Sequence, residues 1–478
     1  MECRLQMATA IWRLTLFLSA LLAVAMTVAG LGEYDRRRSQ VDALVTQRDE
    51  LRQGGQYTFD GFQRDQALRA VRYPTPLSVV VNGLDHRNPQ YWDFGPAGIS
   101  AGPPVSGERV SSVVNADLDL EFILRSLFGM LALVAGFSSL AASRLAGPTK
   151  FLVSLPVRPS AIMTGGLAGA TLAAIIASAA AVGSSIAVLL MSDPTFVSAD
   201  AVKSLGLIWL STVPYYAVLV GLGAIVALMI ANPLKAVATI VVLWFGATTL
   251  ASPVVAALAD ALTSSQSRAL FEVSRNAAYE KAAIGIEAEA GDIVLRHLAN
   301  AEVPSSFQLN GVILEAVTQL WDTRFSELRR ELDQLEAGLL HLESLRATRA
   351  WWMGALAPGT VLRYAMTDLA GVGEAATRTW ISDAEVYQRA LNAAVFDRRP
   401  RIHIRVGFGS GYRVLFHDRS QRPRVGDLPE FHHTESTAIN RLRSAAPSIA
   451  VLAVQGTIAW MAGIVIFCRR ASSLLGWR

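Results

Sequence analysis

Cysteine is nearly missing from this chain. Among 478 residues there are two, Cys3 and Cys468, both close to the ends. The long hydrophilic stretches between them therefore hold no disulfide, and a zinc site built from cysteines is excluded there. Charge is scarce as well. Only 17% of residues are Asp, Glu, Lys or Arg and 52% are apolar, whereas a soluble protein carries about a quarter charged residues. The deficit is uneven: charge collects in 32–121 and 261–445 and nearly vanishes between them. A chain that alternates between lipid and water has this pattern. The net charge of +4 is small for the length, and the positive residues, mostly Arg, are scattered. No basic stripe interleaves with aromatics, so nucleic-acid binding finds no support. The Arg-over-Lys, Ala-rich usage suggests a bacterial source.

Nucleotide and hydrolase motifs are also missing. There is no G-x-x-x-x-G-K-[ST], so the chain holds no P-loop nucleotide of its own; GPTK at 147–150 lacks the spacing. H-E-x-x-H does not occur, nor does G-x-S-x-G between a strand and a helix. His432 and His433 are neighbours. Adjacent strand residues point apart, so a solvated loop is favoured over a metal there. GFGSG at 407–411 reads as a hairpin turn, because no helix clearly starts after it. Arg125 follows Glu121 by one helical turn near the start of a span, and a snorkelling interfacial pair accounts for it. No intramembrane constellation of Asp, Glu, His or Lys is visible, which argues against a proton or ion relay.

What the chain has is long apolar runs. About 20 apolar residues cross the hydrocarbon core, and six stretches qualify: 10–31, 122–142, 161–191, 205–231, 233–258 and 446–468. Backbone in lipid must satisfy its own hydrogen bonds, so each reads as a helix. The third is too long for a simple span and tilts or continues into the cytoplasm. Orientation follows from flanking Arg and Lys. Arg144, Lys150 and Arg158 in the 143–160 loop, Lys235, and Arg469, Arg470 and Arg478 in the tail all fall on one side. That side is expected to be cytoplasmic, and Arg4 and Arg13 place the N-terminus there too. The triplet Arg36–Arg38 dissents. The first run is read as a span rather than a cleaved signal peptide, since its core is long and Trp12 and Arg13 resemble an interfacial anchor. Gly165 with Gly169, and Gly221 with Gly223, are candidate packing sites between spans, although glycine is common in membrane helices anyway.

The first hydrophilic segment opens with a polar helical stretch, DRRRSQVDALVTQRDELRQ, and turns to a Pro-, Gly- and Asn-rich run from Tyr73. It reads as a small cap on the membrane surface, with Trp92 and Phe94 at the headgroups. In the larger segment Phe325, Leu328, Leu332, Leu335, Leu339 and Leu342 form an a/d stripe. Arg329 and Asp333 pair at i, i+4 on an exposed face. The stripe suits an antiparallel helix pair within the chain better than a zipper between chains. A helical block at 375–396 follows Gly371 and Gly373, and a short hairpin is expected near 402–416.

The loop between the second and third runs carries a familiar pattern. ASRLAGPTKFLVSLPVRPSAIMTGGLAGA, 142–170, resembles the first cytoplasmic loop of ABC-2-type permeases. Arg144, Gly147, Lys150, Leu152, Ser154, Leu155, Pro156, Val157 and Arg158 fit that pattern. Ser143 and Leu145 stand where the family has acids, Ala142 where it has glycine, and Pro148 where it has threonine. PTPLSVVVNGLD, 74–85, and residues 356–391, with Pro358, Ala370, Gly371, Trp380, Glu385 and Tyr387, resemble the outer segments of one branch. That branch carries a large periplasmic insertion of unknown function between its last two spans.

The resemblance implies a mainly α, polytopic permease subunit of an ABC transporter, expected to be an exporter, with no ATPase site or cofactor of its own. ATP would be hydrolysed on a separate cytoplasmic ABC ATPase. The coupling loop, with Arg144, Gly147, Lys150, Leu155, Pro156 and Arg158, would dock on that subunit. A second permease, a different chain or another copy, would complete the pathway. The expected layout is a cytoplasmic N-terminus and span 1 over 1–31, an extracytoplasmic segment over 32–121, and spans 2–5 over 122–260. A helical extracytoplasmic domain over 261–445, open to a periplasmic partner, and span 6 with a cytoplasmic tail over 446–478 follow. The setting is the bacterial inner membrane, with both termini cytoplasmic. The competing reading is a membrane scaffold or sensor whose outer domain binds a partner. In intact cells, cysteines introduced at Ser264 and Ser420 are expected to react with a membrane-impermeant thiol reagent while one at Ser154 does not. Labelling of Ser154 alone would reverse the orientation.

Overall fold

The computed structural model describes residues 10–54, 68–83, 88–95, 98–102, 119–145, 158–192, 198–262, 268–299, 311–396 and 428–474. Among the described residues six helices are long and apolar enough to cross a membrane, and the chain is a mainly α, polytopic membrane protein. Helix α1 (Ala10–Gly54) contains the first span and continues as one rod through the polar stretch. Helix α2 joins Leu120–Phe122, a π-helical turn at Ile123–Leu127 and Phe128–Leu145. Helices α3 (Pro159–Ser192) and α4 (Ala199–Met229) follow. Helix α5 likewise joins Pro233–Phe245, a π turn at Gly246–Leu250 and Ala251–Leu262. Beyond it come α6 (Arg268–Ala299), α7 (Gly311–Gly354), α8 (Pro358–Ala370), α9 (Glu374–Leu391) and α10 (Ala438–Leu474), the last carrying the sixth span.

Helix α4 is the hub, packed between α2, α3, α8 and α10. Lipid offers no hydrophobic drive for helix association, so close packing and interhelical hydrogen bonds must supply it. Small residues let the backbones touch. A Cβ at Gly136 of α2 would overlap the Val220 carbonyl of α4, and one at Gly223 of α4 would overlap the Leu133 carbonyl of α2. A Cβ at Gly221 would come within 2.8 Å of Ala459 on α10. Hydrogen bonds also join the helices: Trp460 Nε1 of α10 donates to the Ala217 carbonyl of α4 at 2.9 Å, and Thr27 Oγ1 of α1 to Ser185 Oγ of α3 at 3.0 Å. Gly165 of α3 meets nothing within 4 Å, so its glycine does not serve helix packing. Asp200, in the first turn of α4, accepts from the backbone N–H of Ala438 at 3.1 Å and so caps α10. Leu234, Val242, Val254 and Leu258 leave α5 exposed along its length, which suits a helix solvated by acyl chains.

The chain between α7 and α9 returns to the depth of the spans. Gln455 of α10 donates to the Ala355 carbonyl at 2.6 Å, and Gly359 lies against the Ala247 carbonyl in the π turn of α5. Helix α8 is therefore a re-entrant segment running antiparallel to α10. It is buried on nearly every side and ends at Gly371, whose φ of +75° closes it in a left-handed cap.

The two hydrophilic segments, separate blocks in the sequence, share one core. Strands β1 (Ala70–Val71), β2 (Tyr91–Gly95) and β3 (Gly98–Ala101) form an antiparallel sheet in the order β1-β2-β3. Ala70 lies opposite Trp92, and Phe94 opposite Ile99. Trp92 and Phe94 do not reach the headgroups as expected. They are 2% and 3% exposed and pack on Trp380, Tyr387 and Phe431 of the second segment. The alternation in YWDFG turns both rings to one face of the sheet. His433 Nδ1 lies 2.7 Å from Asp383, and its ring meets Trp380 edge-on. Helices α6 and α7 pair within the chain, held by Ala290, Val294, Ile313 and Val317 at one end and by Arg324–Glu289 at 3.1 Å. The expected stripe divides: Leu328, Leu332 and Leu339 are buried, while Leu335 and Leu342 face outward. Arg329 leans over the Phe325 ring at 5.6 Å. The hairpin expected near 402–416 lies outside the described residues.

Because Gly136 faces a carbonyl and Gly165 faces open space, the two should respond oppositely to a methyl group. Gly136→Ala is expected to destabilise the protein by roughly 1–3 kcal/mol. Gly165→Ala is expected to be neutral or slightly stabilising. Thermal unfolding in detergent tests both.

Candidate functional site: a polar junction on the second span

Helix α2 begins where Asp119 caps it. One carboxylate oxygen accepts from the Phe122 N–H at 2.9 Å and the other from the Asn82 N–H, also at 2.9 Å. The Leu120 N–H donates to the Val80 carbonyl at 3.1 Å. Span 2 is thereby stapled to the 80–82 loop of the cap. Asp119, just outside the span, is buried. Burial, with Glu121 as a like-charged neighbour, pushes its carboxyl up to about 7, although the two N–H groups and Arg363 pull the other way.

One turn further the helix widens. A π turn breaks the regular i→i−4 ladder and leaves carbonyls in need of other donors. In an apolar surrounding each unsatisfied carbonyl costs several kcal/mol. Three consecutive ones are met from other helices. Tyr216 Oη donates to the Leu124 carbonyl at 3.1 Å, Tyr215 Oη to the Arg125 carbonyl at 2.7 Å, and Trp244 Nε1 to the Ser126 carbonyl at 2.7 Å. The tyrosines come from α4 and the tryptophan from α5.

The side chain of Arg125 completes the junction. Its Nε donates to Glu121 Oε1 at 2.5 Å, and a terminal N–H donates to the Thr248 carbonyl in the π turn of α5. Thr248 Oγ1 in turn donates to the Trp244 carbonyl at 2.6 Å. Arg125 and Glu121 side chains are 6% and 5% exposed. The expectation of a snorkelling pair is therefore overturned. The guanidinium turns into the bundle, because the two π turns hold carbonyls there that a charged donor satisfies. Next to it, Thr360 of the re-entrant α8 meets Ser252 of α5 at 3.1 Å. The arrangement is a set of bonds between helices. What it can do is mechanical: it ties spans 2, 4 and 5 and the cap at one level.

Two of the expected coupling residues, Arg144 and Arg158, fall among the described residues. Arg144 is in the last turn of α2. Arg158 is exposed just before α3, and its carbonyl accepts from the Ala161 N–H at 2.9 Å. Gly147, Lys150, Leu155 and Pro156 lie outside the described residues. Sequence reading missed Tyr215, Tyr216, Trp244 and Thr248. The available signal was a Tyr-Tyr pair after Pro214 in the middle of an apolar run, where polar aromatics need partners.

Removing one partner of a buried ion pair strands the other. Arg125→Met is expected to destabilise the protein by about 3–5 kcal/mol. Glu121→Gln combined with Arg125→Met is expected to cost less than Arg125→Met alone. The raised carboxyl of Asp119 has its own signature. A folded-state value above the unfolded 3.8 favours the folded form at low pH, so stability declines as pH rises from about 4 to about 7. Asp119→Asn is expected to flatten that slope in pH-resolved melting curves.

A model of the family described as ABC-2 family transporter protein matches residues 8–284, more than half of the chain. No curated protein and no solved structure matches it.

Proposed function

Since the chain belongs to the ABC-2 transporter family and is a membrane-embedded permease subunit working with an ABC ATPase, we propose that it converts ATPase motion into export through a long lever. The lever is α2. From Leu120 to Leu145 it spans roughly 39 Å, with the start of the 143–160 coupling segment at one end and the polar junction at the other. In this reading Arg144, Gly147, Lys150, Leu155, Pro156 and Arg158 receive the motion from the ATPase, and α2 and α3, which flank the loop, carry it inward. The observation that supports it most is the bond between Arg125 and the Thr248 carbonyl. A displacement of span 2 must then move span 5 and the Asp119-anchored cap with it. Export of a substrate toward the cap side, a second permease completing the pathway, an inner-membrane setting and cytoplasmic termini belong to the same proposal. ATP stays on the partner, and the cap engages a periplasmic partner or gates the exit.

The docking role of the loop has a direct test. Arg144→Glu with Lys150→Glu is expected to leave the chain in the membrane while lowering ATPase co-purification roughly tenfold, equivalent to ~1.4 kcal/mol. Unchanged co-purification with normal ATP-dependent transport would remove the loop from the coupling path.

A further inference from the structure

Gly83 and Val372 meet where span 2, the re-entrant helix and the cap join. A Cβ at Gly83 would overlap Val372 Cγ2. Gly83 ends the 80–83 loop of the first hydrophilic segment, and Val372 is fully buried in the turn between α8 and α9. A carboxylate clamps each side of this contact. Asp119, at the head of span 2, holds the loop through the Asn82 N–H at 2.9 Å. Asp368, in the last turn of α8, accepts from the Ala375 N–H and so caps α9. Gly373, at the N-cap position itself, has no side chain to do this. The glycine is needed for the approach, because a Cβ there would overlap Asp368 Oδ1. Asn88 Nδ2 adds a bond from the first segment to Thr377 Oγ1 of α9 at 2.9 Å.

Both clamps are carboxyl groups held away from water. Asp119 is 5% exposed and stands at about 7. The charges facing it are Glu121 on its own helix and Arg363 on α8. Asp368 lies one turn inside the point where α8 emerges beside Arg441 of α10, ahead of the apolar run of span 6. Burial, with Glu374 adding like charge, pushes its carboxyl up to about 6, while the Ala375 N–H and Arg378 pull it down. Glu374 and Arg378 are bound to each other at 2.6 Å, and Arg441 reaches Glu435 at 3.5 Å.

We propose that this joint is a proton-operated latch: the cap and the re-entrant helix are locked to span 2 while Asp119 and Asp368 are neutral, and loosened when the two ionise. A neutral carboxyl keeps acceptor capacity for the N–H groups it holds. An ionised one in the same place is a buried charge, which opening of the joint relieves by admitting water. In the closed joint both groups stand above the ordinary 3.8, so the closed form binds protons more tightly than the open one. Closure is therefore strongest below about 4 and weakens as pH rises to about 7. The latch concerns the cap side of the bundle and stands apart from ATPase docking.

Hydrogen exchange of the full chain in detergent, at about pH 5.5 and about pH 8, tests the latch once each rate is divided by its intrinsic value. Amides of 78–83 and 371–377 are expected to lose at least roughly tenfold in protection at the higher pH, while those of 328–339 on α7 keep theirs. Asp119→Asn, neutral at every pH, is expected to remove the larger part of this response, and Asp368→Asn the smaller part. Equal protection of the joint at the two pH values overturns the latch, and so does a response that survives when both substitutions are combined. A loss shared equally by α7 overturns it too, because the release would then be global. Should Asp119→Asn fail to fold, Asp368→Asn decides: a response as large as the parent's rules the joint out.

Discussion

A carbonyl that has lost its helical partner inside an apolar slab needs a donor from a side chain. Two π turns within the spans create that demand, one at Ile123–Leu127 and one at Gly246–Leu250. The surrounding architecture answers it. Tyr215 and Tyr216 fix α4 against α2, Trp244 fixes α5 against α2, and Arg125 returns the bond from α2 to α5. None of these contacts can be given up singly without exposing a polar group to hydrocarbon. The bundle is accordingly more tightly specified at this level than its apolar faces alone would make it, since close-packed alanine and glycine surfaces define spacing but not register.

The cap depends on the same level of the bundle. Asp119 ends span 2 and holds the 80–82 loop, and α8 dips beside α5 and emerges at Gly371 next to Arg441 of α10. The cap core then joins strands from the first hydrophilic segment to α9 from the second. Covalently distant parts meet there through aromatic contacts, while the bonds to the spans are polar. Buried polar groups fix orientation, and the ring cluster forms the apolar core of the cap.

The spans were legible in the sequence because a run of about 20 apolar residues has few other fates. The polar helical stretch after Leu31 and a helix pair built on 310–350 were legible for a related reason: their periodicity extends over many turns; that α6 is the partner was not. The sheet was not. Residues Tyr91 to Gly95 alternate too briefly to stand out, and the partner that buries Trp92 lies almost three hundred residues away at Trp380. The junction was half legible. Glu121 and Arg125 announce an ion pair, but a π turn has no local signature, and its donors come from residues 215, 216 and 244. Nothing in the spacing says that a guanidinium near a span end turns inward rather than toward water. The loop residues that the family resemblance singles out remain legible from sequence only.

Helix α7 runs without a break for 44 residues, roughly 66 Å. Its last turns lean on α5 through Arg346 with Asp260 and through Arg349 with the Leu262 carbonyl. A rod fastened near one end has a mechanical advantage. A pivot of about 5° at its foot sweeps the far tip, with the α6 residues packed on it, through roughly 6 Å, and a push on the tip returns to the foot as torque on α5. Distance from the bilayer is thereby translated into strain at the level where the spans are tied, and the rod's length sets the gain of that translation.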